Sequence, residues 1–179
     1  MLVKYLLRVT LSIKMRTLTF DQEFAVINPC PQTVLSEANE PIRLEVGIED
    51  WLHLIFDVDR SKFGLKECIT GQVTFKKVSI RLKSMELQII KRETITAGNI
   101  VDNDVITKFE IMDGAPIKNE NIPIRFFLSP YELTPTLLNV NNKFSTQYFL
   151  NLVLLDVEER RYFKQHEIQL VRLEKRKNN

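Results

Sequence analysis

The sequence predicts an all-β protein, folded as an antiparallel β-sandwich. Three observations carry that prediction. Apolar residues recur at every second position in run after run. No stretch of ten or more residues sustains a 3.6-residue period. Turn formers separate the runs at short intervals, as in a sandwich and unlike alternating strands and helices.

Val3, Tyr5, Leu7, Val9, Leu11 and Ile13 make the first strand, and Leu18, Phe20, Phe24 and Val26 the second. They read as an antiparallel pair joined at about Lys14 to Thr17. Such a pair is marginal alone in water and leaves an apolar face looking for cover. Asn28 to Pro41 holds three prolines and several turn formers around a short apolar pair, and reads as a linker. Strands resume with Ile42, Leu44, Val46 and Ile48, then turn at Glu49-Asp50. The next strand starts at Trp51 and places Leu52, Leu54, Phe56 and Val58 on a core face, with His53, Ile55 and Asp57 opposite. Gly64 and Gly71 punctuate the region holding Ile69, Val73 and Phe75.

A long strand is then expected whose register slips. Val78, Ile80 and Leu82 are even and Met85, Leu87 and Ile89 odd, which predicts a β-bulge near Lys83 and Ser84. Thr94 to Asn103 reads as a polar hairpin loop and Val105 to Met112 as the strand after it. Ile122 to Leu128 is a short strand, and Ser129 to Asn142 a long loop with two prolines. Phe144 to Leu155 is apolar on both faces and suits a central strand. Asp156 to Arg160 turns, and Arg161 to Val171 is the last strand.

The stretch around which these elements are organised is KFEIMDGAPIKNENIP, Lys108 to Pro123. It opens as a strand, with Phe109 and Ile111 at period two, and breaks at Asp113-Gly114 and Ala115-Pro116. Ile111 and Met112 stand at that boundary. Two readings follow: a hairpin that tucks both into its own sandwich, or apolar contacts offered to a partner, for which Met is an adaptable residue.

Composition narrows the function classes. The 179 residues, 44% hydrophobic and 27% charged, suit one soluble domain with room for a small second element. A formal net charge of +2 gives no electrostatic case for a nucleic-acid binder. Apolar runs are too short and too often interrupted by charge to span a membrane. Lys4, Arg8, Lys14 and Arg16 break up the first apolar run, so no signal peptide is read there. Cys30 and Cys68 are too few for a disulfide scaffold or an all-cysteine zinc site, and both are expected reduced, in the cytosol.

Catalytic apparatus is not apparent. His53 and His166 lie on strands and read as structural. Asp57-Val58-Asp59 and Asp102-Asn103-Asp104 lack a glycine-spaced ligand array and read as solvated turn carboxylates. No glycine-rich phosphate loop or nucleophile elbow occurs. Neither a cofactor nor a metal is expected, and the residues point to a sandwich that recognises proteins through loops and open edges. Lys175, Arg176 and Lys177 form a short basic cluster in a charged tail, too little for membrane attachment alone.

Several segments in order resemble one family. They are LEVGIED (Leu44 to Asp50), MELQIIK (Met85 to Lys91), KFEIMDGAP (Lys108 to Pro116) and IPIRFFL (Ile122 to Leu128). TPT (Thr134 to Thr136), KFSTQYFLNLVLLD (Lys143 to Asp156) and RRYFKQHEI (Arg160 to Ile168) complete the set. Together they are similar to the vacuolar protein sorting-associated protein 26 family, the arrestin-like subunit of the retromer complex, from about Pro41 to Val171. The resemblance implies an arrestin-like fold of two β-sandwich lobes. It divides the chain into a remnant hairpin of the N-terminal lobe (1–28), a linker (29–41), the C-terminal lobe (42–171) and a charged tail (172–179). The earlier strands of the first lobe have no counterpart in the sequence.

The resemblance further implies a non-catalytic adaptor in endosomal cargo retrieval, cytoplasmic and peripheral on endosome membranes through its complex. It places docking on the retromer α-solenoid subunit at Ile111 and Met112, presented by the turn at Asp113 and Gly114. Full burial of an Ile and a Met in a partner groove supplies roughly 3–6 kcal/mol before association costs. The resemblance also implies contact with cargo tails and a sorting nexin at Val46 and Phe163, which the residues alone leave open as plain core. A rival reading is an arrestin-related trafficking scaffold. It would carry proline-tyrosine ligase motifs, and the tail has none.

Overall fold

The computed structural model describes residues 4–36, 39–48 and 50–174. In chain order the elements are β1 (Tyr5–Ile13), β2 (Arg16–Phe24), a 3-10 turn (Gln32–Leu35), β3 (Ile42–Ile48), β4 (Leu52–Val58) and β5 (Lys62–Gly64). There follow β6 (Cys68–Val78), β7 (Leu82–Ile95), β8 (Ile100–Asp113), β9 (Asn121–Phe127), β10 (Leu137–Val140), β11 (Phe144–Asp156) and β12 (Arg161–Val171). The fold class is the one the periodicity predicts: all-β, with strands arranged as a sandwich.

One sheet has the order β3-β4-β6-β9. The other runs β5-β12-β11-β7-β8, with β10 beside the start of β11. Every pairing is antiparallel except the short parallel one of β5 with β12. The core fills the space between the two sheets. From the first come Leu52, Leu54, Phe56, Ile69, Val73 and Phe75, and from the second Met85, Leu87, Ile89, Tyr148, Leu150, Leu152 and Leu154, all fully buried. Period two puts each set on one pleat face, and each such side chain contributes roughly 1.5–3 kcal/mol on leaving water. Tyr148 is the polar exception, and its hydroxyl is held by the Thr134 backbone N–H and hydroxyl at 3.1 and 2.9 Å.

β1 and β2 form a separate two-stranded sheet. Tyr5, Leu7, Val9 and Leu11 share one face with Phe24, Phe20 and Leu18, and all are substantially exposed. The other face carries Lys4–Glu23 and a two-bond Arg8–Asp21 ion pair. The expected open apolar face is thus present.

The linker is fastened at two points. Cys30 exchanges backbone hydrogen bonds with the exit of β12, accepting from Glu174 N–H and donating to Arg172 C=O. The Asn39 carboxamide oxygen accepts from Ser61 and Lys62 N–H, while its NH2 donates to Leu35 and Lys62 C=O. Both cysteines are free and half-buried.

Several expectations change in detail. The long strand with a slipped register is two strands: the chain leaves one sheet at Val78 and enters the other at Leu82. The bulge is nevertheless where the slip places it. Leu155 faces Ser84 and Asp156 faces Leu82, leaving Lys83 unopposed. The polar stretch Thr94 to Asn103 is mostly ladder, and the turn shrinks to residues 96–99, where Gly98 and Asn99 take positive φ. Trp51 precedes its strand and lies in the turn. Ile55 is buried although it sits with His53 and Asp57. The loop from Ser129 to Asn142 contains β10. Lys175, Arg176 and Lys177 lie outside the described residues, as does Glu49.

Gly71 pairs with Val58, and a Cβ added there would sit 2.3 Å from the Asp57 carbonyl oxygen. Backbone against backbone has no flexible end to yield. Gly71→Ala is expected to cost about 1–3 kcal/mol, a drop of several degrees in Tm by differential scanning calorimetry.

Candidate functional site

The β7–β8 ladder decides where Ile111 and Met112 stand. Met85 faces Met112 and Glu86 faces Glu110, so Ile111 is an extra residue opposite no partner. The bulge bends the end of β8 and lets two successive apolar side chains both reach the core margin. Each is half-buried, packed against the core cluster and still in part accessible. Neither reading of the pair is exhausted: they touch their own interior and also face out.

The turn beyond them is pinned on both sides. Asp113 ends the ladder opposite Ser84. Gly114 has φ +96° and donates its N–H to the Lys83 carbonyl at 2.7 Å. Space around its missing Cβ is open, so the dihedral angle alone favours glycine here. Farther on, Phe75 N–H donates to Glu120 C=O, and Asn119 N–H to Phe75 C=O. Asp113, Gly114 and Ala115 are exposed, and Pro116 is buried.

Val46 and Phe163 have different settings. Val46 lies in mid-β3 opposite Leu54, and its side chain belongs to the core at 8% exposure. β3 is an outer strand of its sheet, so among the described residues the backbone edge beside Val46 has no strand partner. Phe163 lies on β12 opposite Val153 and is 67% exposed. Its β12 neighbours of opposite parity, Ile168 and Leu170, are buried, so Phe163 faces away from the core. The two residues belong to different sheets, Val46 on the outer strand of one and Phe163 on the second strand of the other.

An element that sequence reasoning treated as a plain turn is a hydrogen-bond hub. Asp156 ends β11 and is buried. Its Oδ1 accepts from the Glu158 and Arg160 backbone N–H at 2.9 and 2.8 Å. Oδ2 accepts from Arg160 Nε at 2.7 Å and from the Tyr162 hydroxyl at 3.1 Å. Burial works to raise the carboxyl's pKa, but these donors outweigh it and hold the group below its ordinary range. Burial, then the hydrogen bond to Asp156, pushes the Tyr162 phenol up. The only sequence signal was a carboxylate closing an apolar strand before charged turn residues.

A cleft of about 650 Å³ lies between the hairpin exit and the second sheet, lined by Tyr5, Val26, Phe144, Leu170 and the Lys91–Glu93 ion pair. Among the described residues no group of three or more His, Cys, Asp or Glu is arranged to hold a metal, and no helix is long and apolar enough to cross a membrane.

Known proteins resemble this chain along most of its length. A family model described as vacuolar protein sorting-associated protein 26 matches residues 1–159. "Vacuolar protein sorting-associated protein 26B" of Danio rerio is 49% identical over 172 residues, covering 95% of this chain and 51% of that protein. The Homo sapiens protein of that name is 49% identical over 95% of this chain and 50% of its own length. "Vacuolar protein sorting-associated protein 26" of Drosophila melanogaster is 48% identical, with 95% and 35% covered. The chain therefore spans about half the length of the curated 26B relatives it matches. Among solved structures, the sporulation control protein Spo0M of Bacillus subtilis superimposes with a TM-score of 0.53 at 16% identity, over 69% of this chain and 50% of that one. At that identity the likeness is one of fold.

The Asp156 hub sets a pH dependence. A carboxyl lowered on folding contributes stability above its unfolded pKa of about 4, and that stability is lost as pH falls through the lower folded value. Tm is expected to fall more steeply below about pH 4 in the native protein than in Asp156→Asn, which lacks this titration but starts lower. Equal slopes in thermal melts from pH 7 to 2.5 would refute it.

Proposed function

Because this chain belongs to the vacuolar protein sorting-associated protein 26 family, we propose that it is a retromer subunit in endosomal protein sorting, acting as a non-catalytic adaptor. It docks on the retromer α-solenoid subunit through Ile111 and Met112, with Asp113 and Gly114 presenting them. The observation that carries this reading is the bulge at Ile111. It holds two adjacent apolar side chains at the sheet margin, half open to a partner, with the loop beyond them tied down by backbone bonds.

Cargo tails and a sorting nexin engage the same lobe elsewhere. The free edge of β3 at Val46 offers backbone groups for an added strand. The exposed ring of Phe163 offers an apolar contact on the outer face of β12. On this reading Val46 acts through its backbone and its place in the edge, since its side chain is core. The protein is cytoplasmic and reaches the endosome membrane through its complex.

Ile111→Asp with Met112→Asn is expected to weaken binding of the purified α-solenoid subunit by about a hundredfold or more, with circular dichroism unchanged. Retained binding by calorimetry would overturn the assignment. Phe163→Ala is expected to leave Tm unchanged, because the ring is exposed, and to weaken a cargo-tail peptide several-fold only when a sorting nexin is present. A loss of Tm without a loss of peptide binding would return Phe163 to a structural role.

A further inference from the structure

We infer that the docking surface extends across one whole end of the sandwich, with Trp51 and Val157 as anchors for the same helical partner. The inference rests on the docking reading of Ile111 and Met112 given above.

Trp51 is 53% exposed in the β3–β4 turn, and Val157 is 57% exposed in the β11–β12 turn. Both turns lie at the end of the sandwich where β8 finishes, because β3, β6, β8 and β11 all end there. One short segment joins them. Ser79 N–H donates to Trp51 C=O at 2.6 Å, Val157 N–H to Arg81 C=O at 3.0 Å, and Gly114 N–H to Lys83 C=O at 2.7 Å. Residues 79–83 span at most about 14 Å when extended, so the three turns are neighbours. Ile80, in that segment, is half-buried like Ile111 and Met112. The end thus presents a row: Trp51, Val157, Ile80, then Ile111 and Met112.

Three ion pairs stand among the charges around the row. Lys77 meets Asp50 at 3.2 Å, Arg160 meets Glu158 at 3.1 Å, and Lys83 meets Glu159 at 4.0 Å. An apolar centre with a polar rim is the anatomy of a protein interface. Tryptophan is the residue type most enriched among energetic anchors. Strands about 4.8 Å apart put the Val157 turn, between β11 and β12, roughly 10–15 Å from Ile111 on β8, a length matched by about seven to ten residues of α-helix, with Trp51 on the facing sheet. A helix of the solenoid subunit, laid across the row, is the occupant that fits.

Trp51 is the single tryptophan of the sequence, which gives a direct readout. The full chain is labelled with 5-fluorotryptophan and titrated with the unlabelled, purified α-solenoid subunit. The 19F resonance is expected to shift and to lose its H2O/D2O difference on binding. Trp51→Ala and Val157→Ala, checked by circular dichroism, are each expected to weaken binding about tenfold. If the resonance stays put and both variants bind normally while the Ile111→Asp, Met112→Asn variant does not, the extension is wrong and the docking reading stands. If the unsubstituted chain fails to bind, both fall. A shift with phosphatidylcholine–phosphatidylserine vesicles but not with the subunit would make this end a membrane-facing surface and overturn the inference.

Discussion

The β7–β11 ladder is the constraint on which the rest depends. It pairs Leu82–Ile95 with Phe144–Asp156 along almost their full lengths. Antiparallel pairing fixes which side chains face inward, and a slip of β7 by one residue would turn Met85, Leu87 and Ile89 away from the core that Leu150, Leu152 and Leu154 share. The ladder lies between two candidate regions. On one side β8 follows β7 and ends in the bulge at Ile111. On the other, β12 follows β11 and carries Phe163 on its outer face. Both candidate surfaces are therefore placed by a single register.

Much of this arrangement was legible in the sequence, because burial on one face of a pleat writes itself as alternation. The parity change between Leu82 and Met85 located a real bulge at Lys83. It did not reveal that the chain changes sheets at residues 79–81, since hydrophobic parity is blind to which sheet a strand joins. The β7–β8 hairpin was read too short, because Glu93, Thr94, Asp102 and Asn103 are polar residues on paired strands. Backbone pairing there proceeds without a buried face, and no periodicity marks it. Ile55 was placed on the less buried side of β4 because alternation assigns one face to the core by default.

The candidate site was legible in unequal measure. Asp113-Gly114 announced a turn, and the positive φ of Gly114 is the physical reason for that signal. The bulge at Ile111 was invisible, as it arises from the pairing with β7 and not from any local residue preference. Val46 and Phe163 look alike in sequence, each an apolar residue in a period-two strand. Only the sheet assignment separates the packed side chain from the open ring. The role of Asp156 depends on donors brought round by the turn, including a phenol beyond it in β12, and a linear reading cannot count them.

The segment from Ser79 to Lys83 holds three neighbouring turns through main-chain atoms, while Ile80 and Leu82 anchor it to the core. Carbonyls and amides do not care which side chains they bear, proline at a donor excepted. Over evolutionary time the exposed positions Ser79, Arg81 and Lys83 are free to drift while the residue count is not. One insertion would throw Trp51, Val157 and Gly114 out of step at once, so homologues that share this end should differ there in spelling and never in length.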